Sequence, residues 1–269
     1  MSFSVIKDSL VLEFDIEKIS KAVSTAFPES KIDFDLELDF SLSKEEKENY
    51  HQFIWNMAEI GWPAYMDGDL DFHKTINTLF ENGEYDEIIN TIYSHYDNNY
   101  IEALAKQIEG SCVLKRERIP VMLEALELYK LGYYYGSVAI LLSQIIGIVK
   151  DIESFCEENN IPFKPENEKQ LLARYNVSKN SDKKRVIAAL MEGMDRNDLE
   201  REYLYLIGYF RNIIFYNELS EESQLTTDVN RNMVLHGEQL TFGSKEQALK
   251  LILCTDALCW VSKVLSEEL

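Results

Sequence analysis

The spacing of hydrophobic and polar positions changes once along this chain. Ile32, Phe34, Leu36, Leu38, Phe40 and Leu42 alternate with Asp33, Asp35, Glu37, Asp39 and Ser41. A period of two predicts a strand with one buried and one acidic face. Leu10, Leu12 and Phe14 alternate more briefly, and 16–27 has helical spacing. Residues 1–42 are therefore expected to form a small strand–helix–strand element. Two strands alone are marginal in water, so the element must lean on the rest of the chain.

From Ser43 onward the period is helical. Ser43-Lys44-Glu45-Glu46 reads as a capping box, and its helix should run to about Ile60, where Gly61-Trp62-Pro63 stops it. Further helices are expected over about 69–81, 85–96 and 98–109. A long pair follows over about 117–131 and 134–159, joined near Gly132. Others are expected at 182–193 and 196–217. A short helix should end at Gly237, the usual residue past a helix end. Ser244-Lys245-Glu246-Gln247 is a second capping box, opening a last helix to about Leu265. The expected fold class is mainly α. Its divisions are a strand–helix–strand element at 1–42, a helical region at 43–111 and a helical bundle at 112–269.

Composition narrows the function classes. The net charge of −20 argues against broad, sequence-blind gripping of a nucleic-acid backbone. It leaves room for a small basic cleft on an acidic body. Cys112, Cys156, Cys254 and Cys259 form no C-x-x-C pair and have no zinc spacing, as expected of core residues in a reducing cytosol. The N-terminus has no basic stretch followed by an apolar core, and the most apolar run, 138–149, is too short for a bilayer. A cytoplasmic protein without a membrane segment is expected. The carboxylates of 32–42 spread along one strand edge with no loop to wrap an ion, so no metal is implied.

Chemistry-bearing side chains cluster at Asn230-Arg231-Asn232-Met233-Val234-Leu235-His236-Gly237. On a helix, Asn232 and His236 share a face, and the Arg231 side chain can swing toward it. The guanidinium fork matches phosphate oxygens. An imidazole titrates near neutral pH and moves protons. Ribonuclease chemistry needs little more: a base for the ribose 2′-hydroxyl, a cation for the phosphoryl oxygens and an acid for the departing 5′-oxygen. His51, His73 and His95 stand alone on helical segments and read as ordinary surface or core histidines. Arg211-Asn212 repeats half of the pattern with no His after it, in an aromatic helix that reads as core. The segment 164–185 is locally basic; Lys183, Lys184 and Arg185 within it are candidates to guide RNA, and the stretch reads equally as a solvated loop and helix face.

The run from Arg231 to Gly237, followed by Phe242-Gly243-Ser244-Lys245-Glu246-Gln247-Ala248-Leu249-Lys250, resembles the C-terminal signature of HEPN-domain proteins. Upstream, Arg118-Ile119-Pro120-Val121 and Leu141-Leu142-Ser143-Gln144-Ile145-Ile146-Gly147-Ile148 are similar to the first two helices of that bundle. The resemblance covers about 112–268. It implies a metal-independent endoribonuclease with no cofactor, of the kind found in phage defence and toxin–antitoxin systems. Arg231 would bind phosphate, Asn232 would orient or contact substrate, and His236 would be general base or acid. It also implies a homodimer whose two motifs line one cleft, and an antitoxin or other defence protein as partner. The chain departs from the pattern at Ile146, where related proteins often carry an acidic residue. Gln144 and Asp151 are the nearest polar candidates to support His236. Two further readings stay open: a non-catalytic HEPN-type sensor or scaffold that binds RNA, a nucleotide or a protein, and a helical interaction protein whose N-terminal strands pair with a partner's sheet edge.

Overall fold

A computed structural model describes residues 44–64, 69–161, 229 and 231–267. Among the described residues every regular element is an α-helix. The expected strands at 10–14 and 32–42, and the helices at 182–193 and 196–217, lie outside them.

The first four helices follow the breakers and caps in the sequence. Helix α1 spans Lys44–Glu59. It stops at Gly61, which takes φ +73° so that the Trp62 N–H can reach back to the Met57 carbonyl at 2.8 Å. Helix α2, Leu70–Glu81, is opened by Asp69, whose carboxylate accepts from the Phe72 N–H. It packs on α1 through buried Phe53, Ile54, Phe72 and Ile76, and Asn56 donates to Asn77 across the contact at 2.9 Å. Helix α3 is Tyr85–His95. Helix α4, Asn98–Glu109, starts at Asp97, which caps the N–H groups of Asn99 and Tyr100.

Helices α5, Arg118–Lys130, and α6, Tyr134–Glu158, form a helical hairpin. Its turn needs Gly132 at φ +80°, and the Gly132 and Tyr133 N–H groups return to Tyr129 and Leu128 to close the end of α5. After the five-residue helix α7, Arg231–Leu235, comes α8, Lys245–Glu267. The capping box at its start is reciprocal: Ser244 Oγ accepts from the Gln247 N–H, and Gln247 Oε1 accepts from the Ser244 N–H, both at 3.1 Å.

Helix α8 is the most extensively buried of the described helices. Its residues are buried on nearly every side, which fits a sequence with no continuous polar stripe. It packs against α4, α5 and α6. Several of its polar groups are engaged. Asp256 accepts from the Tyr100 hydroxyl. Lys250 pairs with Glu246 at 2.7 Å and lies over the Trp62 ring. Lys245 lies over the Tyr93 ring. One apolar core therefore runs from Tyr50 to Leu265 and is continuous across the turn at 110–112.

Candidate functional site

Helix α7 sets the Arg231–His236 pair. It packs on α6, with Val234 of the helix and Val229 before it buried. Gly237 at φ +74° ends it: the Gly237 N–H returns to the Val234 carbonyl and the Glu238 N–H to the Met233 carbonyl at 2.8 Å. His236 is thus the cap residue just past the helix, one position beyond the helical register the sequence suggested. Arg231 is the first helical residue and half-buried, whereas His236 is exposed. At 1.5 Å rise per residue their backbones stand about 7.5 Å apart along the helix axis. Among the described residues no side chain hydrogen-bonds to the His236 ring. The side chain of Asn232 lies outside the described residues, as do Lys183, Lys184, Arg185 and the segment 203–216.

Gln144 and Asp151 have a definite partner, and it is Arg118. On α6, Gln144, Gly147 and Asp151 recur at three and four residues and share one face. The Arg118 guanidinium lies along that face. Its Nε donates to Asp151 Oδ2 at 2.7 Å, its Nη2 to Asp151 Oδ1 at 3.2 Å and its Nη1 to Gln144 Oε1 at 2.6 Å. The Lys115 N–H adds a bond to Asp151 Oδ2 at 3.0 Å. Gly147 makes room for the guanidinium: a Cβ there would stand 2.0 Å from Arg118 Nη1. Burial raises the Asp151 carboxyl pKa, but the bonds from Arg118 and Lys115 outweigh it and hold the carboxyl below its usual value. This clasp ties the start of α5 to the middle of α6. The 144/147/151 spacing puts its α6 members on one face in the sequence, but does not point to Arg118 as their partner. Ile146 is exposed, off that face.

The remaining histidines are aromatic packing partners. His73 is fully buried and stacks on Phe53 at 4.1 Å. His95 stacks on Phe72 at 3.9 Å and faces the Asp69 carboxylate at 3.7 Å. The His51 side chain lies outside the described residues. Cys156, Cys254 and Cys259 are buried free thiols, and burial pushes Cys254 and Cys259 well up. Cys112 is exposed, in the turn between α4 and α5. Among the described residues no group of three or more His, Cys, Asp or Glu side chains is placed to hold a metal ion, and no helix is long and apolar enough to cross a membrane.

No protein-family model, curated protein or solved structure matches the chain.

Proposed function

We propose that this protein is a metal-independent RNA endonuclease of the HEPN type, acting in phage defence or toxin-type growth arrest. The observation that carries the reading is the short α7 with a half-buried arginine at its start and an exposed histidine at its end. A phosphodiester laid along α7 meets the Arg231 guanidinium at a non-bridging oxygen. The His236 imidazole takes the proton of the ribose 2′-hydroxyl as that oxygen attacks phosphorus. The phosphorus–5′-oxygen bond breaks, and the leaving oxygen takes a proton from an acid, the His236 of a second copy in a dimer. The products are a 2′,3′-cyclic phosphate and a 5′-hydroxyl. Asn232 orients the substrate, and Lys183, Lys184 and Arg185 guide the strand.

One observation favours a second reading, a non-catalytic HEPN-type module that binds RNA, a nucleotide or a protein partner. Gln144 and Asp151 are both engaged by Arg118, and neither supports the His236 ring. A histidine without such support orients a proton poorly. The deciding experiment incubates purified protein with mixed RNA in EDTA and compares wild type with His236→Ala. Cleavage by the wild type alone supports the endonuclease; equal behaviour of the two proteins rejects it.

A further inference from the structure

Asp and Glu make up 47 of the 269 residues, which would place three or four carboxylates in a stretch of 21. Residues 130–150 have none, and carry Lys130 and Lys150. This is not only burial, because the exposed positions of that stretch hold leucine, glycine, tyrosine, serine, isoleucine and lysine. The segment 231–245, which meets it through α7 on α6 and Phe242 on Tyr135, has Glu238 as its sole carboxylate, against Arg231 and Lys245. A chain of net charge −20 thus has a carboxylate-poor face along the exposed side of α6 and the segment after His236. It is bordered at the α5–α6 turn by Glu127 and Glu102, which pair with Lys130 at 3.3 and 3.5 Å.

Two exposed aromatic rings stand on this face. Tyr133 is 64% exposed and Tyr135 54% exposed. Tyr135 is held from behind. The Phe242 ring meets it edge-on at 5.0 Å, and its ring lies so close to the Gly243 backbone that a Cβ at 243 would come within 2.2 Å of it. A ring pinned on one side and open on the other is already oriented for stacking, with little rotamer entropy left to lose. Gly243 is seven residues from His236, so the chain places the ring within about 25 Å of the imidazole.

We propose that this face is a track for single-stranded RNA, with Tyr133 and Tyr135 stacking unpaired bases while the phosphates cross the carboxylate-poor surface toward α7. The proposal deepens the endonuclease reading and rests on it for the direction of the strand. Aromatic stacking takes any unpaired base, and duplex RNA keeps its bases out of reach. Carboxylates elsewhere on the described surface repel the backbone and favour this face. Ile146, exposed on α6, puts no carboxylate in the path.

The test measures fluorescence anisotropy of a labelled single-stranded RNA of roughly 12 nucleotides with the full chain carrying His236→Ala, so that binding is read without cleavage. Tyr133→Ala and Tyr135→Ala are each expected to weaken binding by roughly five- to hundredfold, and Tyr135→Phe to preserve it. Ile146→Glu is expected to weaken binding more at low salt than at high salt. Tyr133 and Ile146 are exposed, so these two variants keep the fold, as far-ultraviolet circular dichroism checks. Unchanged affinity in Tyr133→Ala and Ile146→Glu overturns the track, and so does a parent that binds no single-stranded RNA. Loss of a dimer in light scattering with RNA affinity unchanged also overturns it, since the face then joins two copies. Wild-type cleavage that is indifferent to both tyrosines leaves the endonuclease standing without the track. Tyrosine-dependent binding with no cleavage leaves the track without the endonuclease.

Discussion

Glycine to alanine in the middle of a helix normally stabilises a protein by about 0.5–1 kcal/mol. At Gly147 the clasp reverses the sign. The new Cβ overlaps the Arg118 guanidinium, with 2.0 Å to Nη1 and 2.4 Å to Cζ. The guanidinium is the free end of a long side chain, but three hydrogen bonds to Gln144 and Asp151 pin it. It must leave, and Asp151, 1% exposed, loses its main counter-charge. Removing one partner of a buried ion pair costs about 3–5 kcal/mol. The Lys115 N–H at 3.0 Å and its ammonium at 3.9 Å remain on Asp151, which favours the lower end of that range. After subtracting the helix propensity gained, Gly147→Ala is expected to destabilise by about 2–3 kcal/mol. For a chain of this size that is a melting shift of about 5–10 °C. Urea unfolding followed by circular dichroism measures it, with the slope checked for constancy. The same substitution in an Arg118→Ala background should recover the ordinary stabilising sign. Gly147→Ala as stable as the wild type would refute the pinned guanidinium.

Asp151 also sets an acid dependence. Its folded pKa is lowered, so its contribution is complete above the unfolded carboxyl value of about 3.9 and is lost as pH falls through the lower folded value. Asp151→Asn should therefore destabilise at neutral pH and flatten the acid limb of a stability–pH curve; an unchanged limb counts against this. Ser244→Ala removes the acceptor for the Gln247 N–H at the start of α8 and should cost about 1 kcal/mol, read as a melting shift of about 2–4 °C. Tyr100→Phe takes a donor from buried Asp256 and should cost about 1–2 kcal/mol in urea unfolding, whereas an exposed tyrosine such as Tyr133 loses nothing measurable on the same change.

Within the described residues the helices were legible because their ends are chemically marked. Asp69 and Asp97 cap, Gly61, Gly132 and Gly237 take left-handed φ, and Ser244 and Gln247 bond reciprocally, so local sequence carries the boundaries. The clasp was harder to see because it is non-local. Arg118 and Asp151 are 33 residues apart, and nothing in the pattern of either helix says which charge will face which. The bonds that secure α8 were hidden for the same reason. Lys250 over Trp62 and Asp256 under Tyr100 join residues more than 150 apart, and in sequence both look like ordinary surface charges on a helix. At the candidate site, the stop at Gly237 was legible. The one-residue shift of His236 from helix to cap depends on how early α7 closes on the Met233 and Val234 carbonyls, which only the backbone geometry decides.

Proton transfer at the His236 imidazole is reported most directly by the ends of the cut strands. Purified wild-type protein and His236→Ala are incubated with RNA in EDTA, and the product termini are weighed by mass spectrometry. Attack by the ribose 2′-hydroxyl predicts 2′,3′-cyclic phosphates paired with 5′-hydroxyls in the wild type, and intact RNA with the variant. Products ending in 5′-phosphates, or the same fragments from both proteins, would contradict it.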